Sequence, residues 1–233
     1  VAIVTMIAAA HLGFFRNLDE IAKAKAEIFE GLEPEGAVVL NRDDARFKLL
    51  DKMAHATGVE HVYGFGENAR STFKLTKCEL HADHSDIIAR IGGHEVTARI
   101  GAPGRHMVQN VLAVLGAAHL VGADLDKVAS ALADLSAERG RGKRHVLRHP
   151  GGSTSSYPGG LITLIDESYN ANPASMAAAM ALLNATPVTG EGRRIAVLGD
   201  MLELGDHSAK LHAALADLIV GTGTRTVFLG GPE

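Results

Sequence analysis

The sequence predicts an α/β protein in two units: a largely parallel sheet carrying a small antiparallel meander, then a second α/β unit. Three observations carry that expectation. Short apolar runs alternate with helical patterns over residues 1–65, the rhythm of parallel strands joined by helices. Residues 71–100 instead alternate apolar and polar side chains between turn signals, as antiparallel strands do. A Gly- and Arg-rich break, Ala137–Arg144 (AERGRGKR), then interrupts the pattern, and strand and helix signals resume beyond it. The expected units are 1–140 and 141–233.

Val1–Ile7 reads as a short buried strand. It is too short to span a bilayer and lacks the basic flank of a signal peptide. With no initiator Met, it is expected to lie part-way through a larger protein. Asn17 with Glu20 three residues on is a capping-box signature, and the helix it opens runs from Leu18 to about Leu32, ended by Gly31 and Pro34. Leu18, Ile21, Ile28 and Leu32 repeat at helical spacing, and Lys25 falls on that stripe. Lys25 is therefore expected to be partly buried, with Lys23, roughly 200° around the helix, in water. A lysine on such a stripe either snorkels outward or has a lowered pKa and does chemistry.

Ala37–Leu40 is a second strand, Asp43 or Asp44 caps a helix reaching Thr57, and Val59–Phe65 is a third strand. GFGENA (Gly64–Ala69) matches a dinucleotide fingerprint, but a strand pattern follows it, so no helix N-terminus is available for a pyrophosphate. Ser71–Leu80, Ile87–Ile91 and Glu95–Ile100 form the meander, turning at Asp83–Asp86 and Gly92–Gly93. His81 and His84 flank the first turn. No second ligand pair accompanies them, and they read as solvated turn residues. Pro103 opens a helix to Val121, on which His106 and Asn110 share a face, and Asp124–Leu135 is another helix.

Beyond the break, Arg144–Arg148 and Leu161–Ile165 are strands around a polar connection, Pro150–Gly160. Asn172 as N-cap and Pro173 as first helical residue start a helix whose core side is Met176, Met180 and Leu183. This strand–loop–helix is expected at the carboxyl edge of a parallel sheet, where α/β folds take ligands. Strand Arg193–Leu198, loop LGDMLELG (Leu198–Gly205), helix His207–Val220 and strand Thr224–Leu229 complete a Rossmann-like unit.

Composition narrows the function classes. The 233 residues are 46% hydrophobic but only 4% aromatic, so Ala, Val, Leu and Ile should fill the cores. A net charge of −4 speaks against a general nucleic-acid binder. AERGRGKR does not change that, being short and without interleaved aromatics. The lone Cys78 excludes an internal disulfide framework and fits a reducing cytoplasm. No apolar run is long enough for a membrane-spanning helix, and a monomer is expected.

VTMIAAAHLGFF, AKAKAEIFEGL and VVLNRDD together resemble the central ATP-binding domain of the Mur ligases. IDESYNANPASM and LGDMLELG resemble the C-terminal domain of the type that adds D-alanyl-D-alanine to UDP-MurNAc-tripeptide, the MurF type. The resemblance implies that ATP phosphorylates the tripeptide carboxylate and that the amine of D-Ala-D-Ala attacks the acyl phosphate, with Mg2+ present. It implies a carbamylated Lys25 that holds Mg2+ together with His11. Asn110 would approach adenine, and Arg144 would close on the phosphates. Asp166 or Glu167 would contact the ribose, and Tyr169 and Asn170 the nucleotide. Asp200, Glu203 and Asn172 would lie on the amino-acid substrate side.

Met6, Ala8 and Ala9 depart from the commoner family pattern VTNIGPAHL. No G-x-x-x-x-G-K-[ST] loop occurs in the chain. In the family that loop, with the UDP-sugar domain, precedes this region, so the chain by itself is not expected to ligate. The alternatives are another Mur or folylpolyglutamate-type ligase, or a nucleotide-binding module without catalysis.

Overall fold

The computed structural model describes residues 1–10, 12–149 and 160–233. His11 and most of the Pro150–Gly160 connection lie outside the described residues. The first unit is a six-stranded mixed sheet. β1 (Ala2–Val4), β2 (Ala37–Asn41), β3 (His61–Gly66) and β4 (Phe73–Leu80) run parallel, and β5 (Ser85–Ile91) and β6 (His94–Ile100) add antiparallel in chain order.

β2 explains the layering. Its AVVL run is apolar throughout because both faces are covered. Val38 and Leu40 pack under α1 (Leu18–Ala26) and α2 (Phe47–Ala56), while Val39 faces the core beneath α3 (Arg105–Leu120) and α4 (Leu125–Ala131). Aliphatic side chains dominate both cores, as the composition implies, but Phe29, Phe65 and Phe73 are among the most deeply buried groups.

Two carboxylates stitch the carboxyl ends of the parallel strands. Asp44 Oδ2 accepts the Ile7 N–H after β1 at 2.7 Å, and its Oδ1 accepts Arg46 N–H at 2.8 Å. Asp43 accepts the N–H groups of Glu67 and Asn68 after β3 at 2.7 and 2.9 Å. The GFGENA turn thus wraps a protein carboxylate and feeds a strand, as its sequence context indicates. Gly66, at φ +132°, is needed there because a side chain would collide with Asp43.

α1 corrects the expected phase. Asn17 caps it, accepting the Glu20 N–H at 3.0 Å, while the Glu20 carboxylate takes the Arg16 N–H. After Ala26 the chain tightens into a 3-10 turn, Glu27–Gly31. At three residues per turn, Phe29 follows Ala26 inward and Ile28 is turned out, 52% exposed. The buried face is Ile21, Ala22, Ala26 and Phe29, and Lys25 is exposed, as is Lys23.

The second unit comprises β7 (Lys143–His149), β8 (Gly160–Asp166), α5 (Pro173–Ala185), β9 (Ile195–Gly199), α6 (Ser208–Ala213), α7 (Leu215–Gly221) and β10 (Thr226–Gly230). β9 and β10 pair in parallel. β8 does not sit in that parallel sheet: it pairs antiparallel with β7. A parallel partner needs a long crossover, whereas the 150–159 connection is short enough only for an antiparallel return. The described core here is thin, centred on Met201, Leu204 and Leu215, while Val197, Phe228 and Leu229 remain exposed. Among the described residues no helix is long and apolar enough to cross a membrane.

Asp44→Ala removes a part-buried acceptor from two backbone donors. It should lower unfolding stability by about 1–3 kcal/mol, measured by urea denaturation, with Asp44→Asn recovering part of the loss.

Candidate functional site

The two units meet along the break and the IDESYNAN loop. Gly140, at φ +75°, bends the chain so that its N–H donates to Asp166 Oδ2 at 3.0 Å and its carbonyl accepts the Tyr169 N–H at 3.1 Å. A Cβ at Gly140 would lie 2.8 Å from Tyr169 Cβ, so only glycine fits. Gly142 N–H donates to the Asp166 carbonyl at 2.8 Å. Arg141 lies over the Tyr169 ring, 4.6 Å from its centroid. Break and loop are therefore one hydrogen-bonded assembly.

Two neighbouring carboxylates there are driven apart. Ser168 donates its hydroxyl (2.6 Å) and backbone N–H (3.2 Å) to Asp166 Oδ1, and these bonds, with the Gly140 N–H and the charge of Arg139, hold its carboxyl below the ordinary value. Burial, and then the charge of Asp166, pushes Glu167 up. Glu167 faces the first unit. With Arg141, Gly142 and Leu182 it closes on Ala102, Pro103, His106 and Met107 around a cavity of ≈ 10 Å³. That space holds no more than one water. Desolvation also lowers the pKa of His106. Asn110, one helical turn along α3 from His106, is exposed.

The other expected residues fall in separate places. The Asn172 side chain caps α5, accepting the Ser175 N–H at 2.9 Å, while its own N–H donates to Ser175 Oγ at 2.9 Å, so this residue is committed to structure. Asn170 is exposed and accepts the Ala171 N–H at 2.8 Å. Arg144 does not point along the loop. Its Nη2 donates to Thr186 Oγ1 at 3.0 Å at the C-terminal end of α5, where exposed carbonyls favour a cation. Burial lowers the Arg144 pKa, with the Asp83 carboxylate opposing that shift. Arg194 caps the same helix end, donating to the carbonyls of Leu183, Asn184 and Thr186.

The LGDMLELG loop is the second contact between the units. The Glu203 carbonyl accepts the Gly13 N–H at 2.8 Å, and Gly205 packs against Leu12 and Gly13. Glu203 holds φ +62°, the one non-glycine left-handed residue among those described. Asp200 packs against Gly231. Sequence reasoning missed His212, which anchors this loop: its Nδ1–H donates to the Ser208 carbonyl at 2.9 Å, leaving Nε2 to accept the Met201 N–H at 2.8 Å. No motif signals that role. Met6, one of the pattern departures, is 49% exposed. No cluster of three metal-binding side chains surrounds Lys25 among the described residues.

Comparison with known proteins agrees with this architecture. Family models of the Mur ligase middle domain and of the Mur ligase glutamate ligase domain match residues 1–118 and 155–233. The chain belongs to the Mur ligases. Within that family it is similar to the UDP-N-acetylmuramoyl-tripeptide–D-alanyl-D-alanine ligase of Escherichia coli (strain K12), at 33% identity over all of this chain and 48% of that protein. The protein of the same name from Rickettsia prowazekii is 28% identical over 99% of this chain and 48% of its own length. A crystal structure of MurF from Acinetobacter baumannii superposes with TM-score 0.80 and 25% identity, covering 98% of this chain and 49% of that one. MurF from Thermotoga maritima in complex with ADP shares the fold, with TM-score 0.75 at 20% identity over 100% of this chain and 52% of that one. The chain spans about half the length of the curated relatives it matches.

Glu167 is held above its ordinary value of 4.5, so the stability it contributes is present below that pH and lost as pH rises through the folded value. Glu167→Gln should therefore gain stability relative to the parent chain between pH 4.5 and 7, measured by urea unfolding at both pH values. Asp166, held low, works in the opposite sense, its contribution being lost only on acidification.

Proposed function

We propose that the chain serves ATP-dependent amide ligation, joining D-alanyl-D-alanine to UDP-MurNAc-tripeptide through an acyl phosphate in peptidoglycan precursor synthesis. The observation that carries the reading is the IDESYNAN loop, locked to the break and set against the first turn of α3 in a chain that belongs to the Mur ligases. The ADP complex of the Thermotoga maritima relative supports nucleotide binding by this fold. In this reading residues 1–140 present the nucleotide face and 141–233 the amino-acid side, in a cytoplasmic monomer.

The residues divide the work by chemistry. Asn110 and the loop residues Asp166, Glu167, Tyr169 and Asn170 hold the nucleoside. The ≈ 10 Å³ cavity admits no nucleotide, so loading requires the units to part at Gly140–Gly142. Arg144 leaves Thr186 to reach phosphate oxygens, and its Nε, buried without a partner, has a donor to offer. Asp200 and Glu203 position the incoming ammonium group. Mg2+ commonly takes only one or two protein ligands and fills its shell with phosphate and water oxygens, so His11 and a Lys25 carbamate suffice as its protein donors. Bound there, the ion would supply positive charge beside the transferred phosphoryl group. Because Lys25 is exposed, its assignment rests on the family resemblance and not on burial.

Calorimetric titration with Mg-ADP should give one saturable event. Asn110→Ala should weaken it by about 5–10-fold, the loss of one hydrogen bond. Absence of binding would overturn the nucleotide reading.

The lysine assignment is tested in the Escherichia coli relative with its matching half replaced by this chain. Ligation of D-Ala-D-Ala should fall almost to nothing with Lys25→Ala and stay nearly unchanged with Lys23→Ala. The reverse result would reassign the functional lysine.

A further inference from the structure

The β4–β5 turn gathers side chains that ligation does not use. His81 and His84 bracket a turn closed by the His81 N–H, which donates to the His84 carbonyl at 2.9 Å. Their rings stack, centroids 4.3 Å apart and planes 16° from parallel. Asp86 lies two residues beyond His84 on an extended chain and so projects to the same side. Its Oδ2 stands 3.6 Å from His81 Nε2 and 3.5 Å from His84 Nε2, and one donor atom from each of the three residues lies within 4.8 Å of the others. A strand residue thus brings a third donor side chain that the local sequence of the turn did not show, and His84 is only 22% exposed.

The protonation pattern is dictated locally. Asp83 Oδ1 is 2.7 Å from His84 Nδ1. An ionised carboxylate only accepts, so Nδ1 carries the hydrogen and, in the neutral ring, Nε2 presents a bare lone pair. That lone pair and His81 Nε2 both lie beside the same Asp86 oxygen, where a cation would offset its charge. Tetrahedral bonds of about 2.0–2.1 Å place ligand atoms about 3.3 Å apart, and the two separations from the Asp86 oxygen are within a few tenths of an ångström of that.

We propose that His81, His84 and Asp86 bind one divalent transition-metal ion of the zinc type, with water completing a tetrahedron and Asp83 orienting His84 from behind. Two imidazoles and one carboxylate suit zinc, whereas Mg2+ prefers oxygen-rich shells and keeps several waters, so this nitrogen-rich site is chemically distinct from the nucleotide's ion. The competitor is Arg99, whose Nε and Nη2 donate to Asp86 Oδ1 and Oδ2 at 2.8 and 3.0 Å. The ion takes Oδ2 and Arg99 retains Oδ1.

Calorimetric titration of the full chain with zinc chloride in a non-chelating buffer should show one saturable equivalent that excess Mg2+ does not displace. His81→Ala and Asp86→Asn should each weaken it by at least tenfold, and Asp83→Asn by about tenfold as an outer-shell change. Arg99→Gln should tighten it. Co2+ should give the intense visible bands of a tetrahedral site, lost in His81→Ala. These positions lie on a surface turn, and circular dichroism of each variant verifies its fold. The proposal is overturned if the parent chain binds no zinc saturably, or if the equivalent persists with unchanged affinity in His81→Ala and His84→Ala.

Discussion

The structure depends first on the charge-assisted bonds that Asp43 and Asp44 accept at the carboxyl end of β2. Parallel strands end with backbone donors that have no ladder partner, and these donors must be satisfied if the loops are to hold a shape. Asp44 takes one from the segment after β1, Asp43 takes two from the segment after β3, and the Asn41 side chain donates to Thr5 O. One short run therefore binds three neighbouring strands at the edge where α/β sheets present ligand-binding loops. The same hub reaches α3: Gln109 Nε2 lies 3.5 Å from Asp43, and Arg105 pairs with Glu67. The face carrying His106 and Asn110 is oriented by this network.

The second unit is organised differently. Its apolar core is small, and its placement relies on backbone bonds to the first unit and the break: Glu203 to Gly13, and Asp166 and Tyr169 to Gly140 and Gly142. Such bonds are directional but few, and they sit at glycines. An interface of this kind permits the units to separate and re-form without disturbing either core. The left-handed Glu203 fits the same logic. Its conformation carries a backbone cost of about 1–3 kcal/mol, and it turns the carbonyl toward Gly13.

Much of this was legible because the signals are local. Asn17 and Asn172 cap the helices their sequences mark, the meander alternates as written, and the strand pattern after GFGENA excludes a phosphate-binding turn. The failures have long-range causes. Within α1 the small Ala22 and Ala26 take the buried face beside Ile21, and the 3-10 turn after Ala26 turns Ile28 out, so the stripe on which Lys25 was placed is not the packed one. Arg144 is held by Thr186 at the C-terminal end of α5, a contact that its place in the sheet register does not signal. His212 acts through a loop eleven residues earlier in the chain, and nothing in its own neighbourhood marks it.

The sequence by itself determined the order and type of the elements and the family, because caps, periodicity and motifs act over a few residues. Only the tertiary structure decided which polar groups meet. It set Glu167 against α3, closed Asp43 around the β3 turn, and brought Asp86 under the two histidines. Strand pairing and side-chain burial settle those encounters, and both depend on partners distant in the chain.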